Sequence, residues 1–169
     1  MASIIIRLAQ EKDLPSMFRI SVATHQASYG DFIPAHRRAD FDAKYSVNST
    51  NEQIYIEKMT KRLIAPHWYT WVAENDDVIV GYTLAKDSGD SLFLKKGLFV
   101  LPERQGAGIG KLLFGASLEV VKSGEVRLSV LSENLRAKRM YENFGFKAQG
   151  RDEKSFFGAE LTVMTLWKH

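Results

Sequence analysis

Hydrophobic residues recur along this chain in two rhythms. Period-two runs, and short solid apolar runs bounded by turn residues, predict strands near residues 4–9, 68–73, 78–85, 92–101, 126–131, 146–149 and 161–167. Spacings of three and four predict helices between them. The first starts at Asp13-Leu14-Pro15, with Met17, Ile20, Ser21 and Thr24 on one face. Another covers residues 54–63, with Ile54, Met59 and Leu63 as its buried side, and a third covers residues 108–122, with Ile109, Leu112, Leu113, Ala116 and Val120 inward. The last, residues 134–144, aligns Ala137, Met140, Tyr141 and Phe144; Asn134 can cap its start and Gly145 can end it. Glu74-Asn75-Asp76-Asp77 reads as a hairpin turn. Residues 28–51 keep no rhythm and read as a polar loop studded with Tyr29, Phe32, Phe41 and Tyr45. The order β-α-α-β-β-β-α-β-α-β-β predicts an α/β fold with one central sheet.

Composition narrows the function classes. A length of 169 residues fits one domain with its own core. The net charge of +3 is too small to imply nucleic-acid binding by itself. Cysteine is absent, which removes disulfides, thiolate nucleophiles and cysteine-based zinc sites together. The four histidines, His25, His36, His67 and His169, have no metal-ligand spacing, so no metal is expected. The short apolar start is broken by Arg7, and no run approaches the ~18 apolar residues of a membrane span. A cytoplasmic protein is the expectation.

The most informative segment is Leu98-Phe99-Val100-Leu101-Pro102-Glu103-Arg104-Gln105-Gly106-Ala107-Gly108-Ile109-Gly110-Lys111. A predicted strand runs into alternate glycines that open a helix. Glycines let backbone N–H groups face a ligand, and a helix start adds unpaired donors and a positive dipole end. Such a loop suits a pyrophosphate. The P-loop spacing fails, because three residues separate Gly106 from Gly110 and Leu112 follows Lys111. The dinucleotide fingerprint fails too, because Lys111 stands where its third glycine belongs.

Gln105-Gly106-Ala107-Gly108-Ile109-Gly110 instead resembles the (Gln/Arg)-x-x-Gly-x-(Gly/Ala) signature of the GNAT superfamily, the Gcn5-related N-acetyltransferases. One helix and one strand later comes Asn134-Leu135-Arg136-Ala137-Lys138-Arg139-Met140-Tyr141-Glu142-Asn143-Phe144-Gly145-Phe146, which resembles that superfamily's second motif. The two motifs stand in the family's order.

The resemblance implies a single-domain GNAT fold over residues 1–169, a mixed, mostly antiparallel central sheet flanked by helices. It implies acetyl-CoA as cosubstrate and a primary amine as acceptor, acetylated by direct attack in a ternary complex. The backbone of Leu98, Phe99 and Val100 would pair with the pantetheine arm like an added strand. Gln105, Gly106, Ala107, Gly108, Ile109, Gly110 and Lys111 would hold the pyrophosphate. Asn134 would contact the cofactor, and the Tyr141 hydroxyl would protonate the leaving sulfur. The alternatives are that Asn134 is only a helix cap and Tyr141 only a core residue on an apolar stripe.

Many relatives carry a glutamate on the strand before the glycine loop as general base. Here that stretch reads Leu94-Lys95-Lys96-Gly97, and Glu74, Asp87 and Asp90 are the substitutes at hand. Lys95-Lys96 and Arg136, Lys138 and Arg139 read as solvated faces or as partners of the phosphates. The resemblance places the acceptor groove at about residues 25–51 and 150–160, where aromatics mix with Asp31, Asp40, Asp42, Asp152 and Glu153. That mixture suits a small cationic amine such as a polyamine. A protein N-terminus or lysine is the second choice, and a non-catalytic acyl-CoA sensor a further one. A homodimer is compatible; neither nucleic acid nor membrane is expected as a partner.

Overall fold

A computed structural model describes residues 3–87 and 97–169, and the backbone of residues 91–93. Strand β1 (Ile4–Leu8) leads into helix α1 (Leu14–Tyr29), which Pro15 opens. The expected burial of Met17, Ile20, Ser21 and Thr24 holds, with Phe18 beside them. Arg7 fixes this corner by donating to both Asp13 (2.7 Å) and Glu74 (2.7 Å).

The segment read as a loop contains a short helix, α2 (Arg38–Lys44). Its single buried apolar residue, Phe41, gave no period to read, but an i,i+4 ion pair of Arg38 with Asp42 (3.0 Å) supports the turn. Helix α3 (Ser49–Ile64) follows, capped by Asn48. Its inner side is Met59 with Tyr55, Ile56 and Leu63; Ile54 is exposed, against expectation.

Strands β2 (Trp68–Asn75) and β3 (Val78–Asp87) form the expected hairpin. Its turn residues Asp76 (φ 51°) and Asp77 (φ 61°) are both left-handed, the geometry that matches strand twist. The strand expected over residues 92–101 is divided into β4 (Ser91–Phe93) and β5 (Leu98–Val100); residues 94–96 lie outside the described part. Helix α4 (Ile109–Glu119), strand β6 (Gly124–Leu131), helix α5 (Leu135–Asn143) and the hairpin of β7 (Lys147–Phe156) and β8 (Ala159–Lys168) complete the chain.

The sheet order is β1-β2-β3-β4-β6-β8-β7, antiparallel except for β4 on β6. Helices α1 and α3 bury against one face around Met17, Met59 and Tyr82, and α4 packs on the other around Ala73, Val80 and Leu113. Among the described residues no helix is long and apolar enough to cross a membrane.

The division of one strand into two sets up the site. β4 reaches β6 only at residues 91–93, opposite Glu125, Val126 and Arg127. β5 pairs with β3. Among the described residues no strand pairs with the outer edge of residues 98–100, nor with residues 128–131 of β6 on the side that faces it. The sheet opens between them.

Candidate functional site

The open edge can be worked out atom by atom. Leu101 N–H donates to Val80 C=O (3.0 Å). Successive residues of a strand present their polar groups to opposite edges, so Phe99 also faces β3, while Leu98 and Val100 face away. Val100 C=O is already occupied, accepting from Thr24 Oγ1 (3.2 Å) on α1 and from Gln105 Nε2 (3.1 Å). Val100 N–H and both polar groups of Leu98 have no partner among the described residues. Of the expected strand contacts, Leu98 and Val100 can therefore accept an added strand, and the Phe99 backbone cannot.

The glycine loop continues this edge. Gly106 (φ 90°) and Gly108 (φ 83°) are left-handed, and a Cβ built on either would meet nothing within 4 Å. Gly108 caps α4, and its C=O accepts from Lys111 and Leu112 N–H. The N–H groups of Gly106, Ala107, Gly108, Ile109 and Gly110 have no partner among the described residues. A run of five free donors beside open space, at the positive end of a helix, fits a pyrophosphate. Gly110 has a second duty: a Cβ there would lie 3.4 Å from Leu98 and 3.8 Å from Met140 Sδ, so it lets α4, β5 and α5 meet. Lys111 is exposed at the same end. The residues present thus fit the phosphate and pantetheine portions of a coenzyme A.

Gln105 works through its side chain as well. Its Nε2 donates to Val100 C=O and to Ser28 Oγ (3.4 Å), and its Oε1 accepts from Arg136 Nη1 (3.0 Å). Arg136 is therefore part of the loop's surroundings, while Lys138 Nζ donates to Ser132 C=O (3.4 Å).

Helix α5 forms the other wall. Asn134 Oδ1 caps it by accepting from Ala137 N–H (3.1 Å), which leaves its amide N–H groups and one oxygen lone pair for a ligand. Tyr141 packs its ring 5.0 Å from that of Phe114 and 6.1 Å from that of Phe146. Its hydroxyl has no hydrogen-bond partner among the described residues. Burial, with a smaller push from the nearby Tyr29 phenol, holds Tyr141 well above the ordinary tyrosine pKa. The core position and the free hydroxyl are both present.

The segments expected to line an acceptor groove do come together, around His25. Its ring stacks on Tyr45 at 3.8 Å and lies 5.1 Å from Tyr29, 5.1 Å from Phe99 and 5.9 Å from Phe156 of the last hairpin. Phe41 and Phe157 close the cluster. The acids are less available than the sequence suggests. Asp40 pairs with Arg37 (3.2 Å), Asp42 with Arg38 (3.0 Å), and Asp152 accepts from Ser129 Oγ and Lys154 N–H. Of the substitute bases, Glu74, on β2 with β3 between it and β5, is held by Arg7; Asp87 ends β3, and Asp90 lies outside the described residues with Lys95 and Lys96. Sequence reasoning passed over His25 because nothing in its spacing marks it. Its signal was position, four residues before Tyr29 on the first helix.

Comparison with known proteins matches this geometry. Residues 38–168 match the model of the acetyltransferase (GNAT) domain family. No curated protein sequence matches the chain. Among solved structures, the PaiA N-acetyltransferase of Thermoplasma acidophilum in complex with coenzyme A has the same fold, with a TM-score of 0.78 and 20% identity over 98% of this chain and 99% of that one. YncA of Salmonella typhimurium, a putative acetyltransferase solved with acetyl-CoA, gives a TM-score of 0.69 and 17% identity over 97% and 93%. YjaB of Escherichia coli, in its apo form, gives 0.63 and 26% over 98% and 97%. With the family pattern running through both motifs and the last hairpin, the chain belongs to the GNAT acetyltransferases, which are acetyl-CoA-dependent N-acetyltransferases.

Proposed function

We propose that this protein transfers the acetyl group of acetyl-CoA to a primary amine by direct attack within a ternary complex, in the gap between β5 and β6. The observation that carries this reading is the pair of free donor groups, Val100 N–H and the run from Gly106 to Gly110, along an edge with no strand beside it among the described residues. Acetyl-CoA supplies the acetyl group as a thioester. Leu98 and Val100 hold the arm by strand-like hydrogen bonds, and the loop N–H groups hold the phosphates. Val100 N–H is the donor suited to the thioester oxygen, where charge develops during attack. Tyr141 is the acid suited to the departing sulfur, because its raised pKa keeps the phenol protonated.

The acceptor enters over the aromatic cluster of His25, Tyr29, Tyr45 and Phe156. A small cationic amine, with a polyamine as first choice, is supported by ring faces that attract cations. The pairing of Asp40 and Asp42 with arginines lowers the weight of the acidic argument for it. An acceptor lysine or N-terminus on a protein is the second reading. Release of free CoA thiol, followed with spermidine, spermine, lysine, aminoglycosides and peptides with free N-termini, tests the proposal. Turnover with one class names the acceptor. Saturable CoA binding without turnover for any amine would replace the enzyme with an acyl-CoA sensor.

A further inference from the structure

Val100 carries the donor suited to the thioester oxygen, and its own carbonyl stands on the same outer edge. Gly81 and Val100 lie opposite each other across β3 and β5. Leu101 N–H takes Val80 C=O (3.0 Å), so the alternation of an antiparallel pair gives the next exchange to Tyr82 and Phe99. Both polar groups of Val100 therefore point away from β3, side by side. In a complete sheet a neighbouring strand would engage both. Here the N–H has no partner among the described residues, but the carbonyl has two. Thr24 Oγ1 donates to it at 3.2 Å and Gln105 Nε2 at 3.1 Å.

Two donors use both lone pairs of a carbonyl, so Val100 C=O is closed to any ligand. Leu98 C=O, on the same edge, has no such donor among the described residues and stays open to an added strand. A threonine inside a helix can turn its hydroxyl back on the carbonyl one turn earlier. Thr24, 3% exposed, instead gives its hydrogen to another element. The two donors also differ in what holds them. Gln105 is bonded to Ser28 and Arg136 and belongs to the phosphate loop. Thr24 belongs to α1, which the buried Met17 and Ile20 fix against the sheet, so it holds the carbonyl from a rigid element. An open carbonyl there would harm the reaction in two ways. Its negative end would repel the charge that develops on the thioester oxygen beside it. It would also accept an amide N–H of the pantetheine arm and compete with the bonds that Leu98 offers.

We infer that Thr24 is a positioning residue for acetyl transfer, its hydroxyl closing Val100 C=O so that Val100 presents only its N–H to the thioester. This rests on the acetyl-transfer reading above. The peptide that follows Val100 is then held at both ends, its oxygen by Thr24 and Gln105 and its N–H by Val80 C=O. Thr24 acts through Val100 in this role and touches neither acetyl-CoA nor the acceptor.

The test is Thr24→Val, which keeps the branched shape and removes the donor, beside Thr24→Ser, which keeps the donor. Thr24→Ala removes the same donor and takes the place of Thr24→Val if circular dichroism shows that variant unfolded. The probe is acetyl-CoA carrying carbon-13 at the thioester carbonyl, bound to each protein and followed by infrared difference spectroscopy. In the wild type the carbonyl band should lie below its position in free solution. In Thr24→Val it should move back towards that position, and in Thr24→Ser it should match the wild type. With an amine that the wild type acetylates, Thr24→Val should lose about tenfold in kcat, less than the ~10²–10³-fold of losing an oxyanion donor itself. Thr24→Ser should restore kcat, and acetyl-CoA affinity by calorimetry should be unchanged in both variants. A wild-type band position in Thr24→Val would overturn the proposal, as would equal effects of Thr24→Val and Thr24→Ser. Turnover by the wild type with an unmoved band in the variant fails the proposal alone. A wild type that binds acetyl-CoA but acetylates no amine of the panel fails the acetyl-transfer reading, and the proposal with it.

Discussion

Arg136 Nη1 donates to Gln105 Oε1 at 3.0 Å, and this one bond joins the two walls of the opening in the sheet. Gln105 belongs to the loop before α4 and reaches back to Val100 C=O. Arg136 belongs to the first turn of α5. The side chain that the glutamine motif supplies thus ties the phosphate loop, the free strand edge and the second motif into one unit. A backbone reading of the motif misses that tie.

Gln105→Ala removes it. The loop then loses its anchor to β5, and Arg136 loses its hydrogen-bond partner among the described residues. We predict about tenfold weaker acetyl-CoA binding, equivalent to about 1.4 kcal/mol, with the melting temperature little changed because the residue is outside the core. Calorimetric titration beside a thermal melt checks both halves. Unchanged affinity would make the contact incidental.

Gly108→Val separates ligand space from fold. A side chain at φ 83° costs about 1–2 kcal/mol of backbone strain, but its Cβ would have no protein atom within 4 Å. The predicted result is a folded, slightly less stable protein that no longer binds acetyl-CoA measurably. Gly97→Ala should behave in the opposite way. Its Cβ would run into the Phe99 ring, so the main loss there is stability.

Tyr141→Phe deletes a hydroxyl that no described residue engages. Stability should therefore hold within about 0.5 kcal/mol, while kcat falls by about 10²-fold or more and acetyl-CoA affinity does not change. Because the phenol pKa is raised, kcat of the wild type should show no fall as pH passes the ordinary tyrosine value of about 10. A loss of activity centred there would contradict the environment described.

The buried tyrosines also set an alkaline limit to the fold. Tyr29 and Tyr82 are pushed up to about 12 by burial, so their folded pKa lies above the unfolded value of about 10. Their contribution is complete below pH of about 10 and is lost as pH rises from there towards 12, because the unfolded chain ionises first. Denaturant midpoints measured across that interval should fall steadily. Flat midpoints would mean that these phenols are not buried in the folded state.

Most of this architecture was legible in the sequence, and the misses have physical reasons. Both motifs fold as their patterns indicate, with Asn134 capping α5 and Gly145 (φ 92°) ending it. The division of the strand at residues 92–101 was hidden, since its apolar residues run on; the left-handed Gly97 (φ 118°) was the one local sign. Leu112 was assigned to the core and is half exposed, because the true inner stripe includes Ser117, whose hydroxyl is satisfied by Phe114 C=O (2.7 Å). A polar residue on the buried side shifts an apolar count. Helix α2 escaped because one buried residue, Phe41, makes no periodicity. The pairing of Asp40 and Asp42 with Arg37 and Arg38 could not be weighed without the helix that brings them together.

The most direct test of the central claim is calorimetric titration of the wild-type protein with acetyl-CoA, repeated with Gly108→Val. The account predicts saturable binding of one acetyl-CoA per chain by the wild type and none by the variant, with both proteins folded by circular dichroism. Failure of the folded wild type to bind acetyl-CoA, or equal binding by the variant, would contradict the assignment of the open edge and glycine loop as the cofactor site.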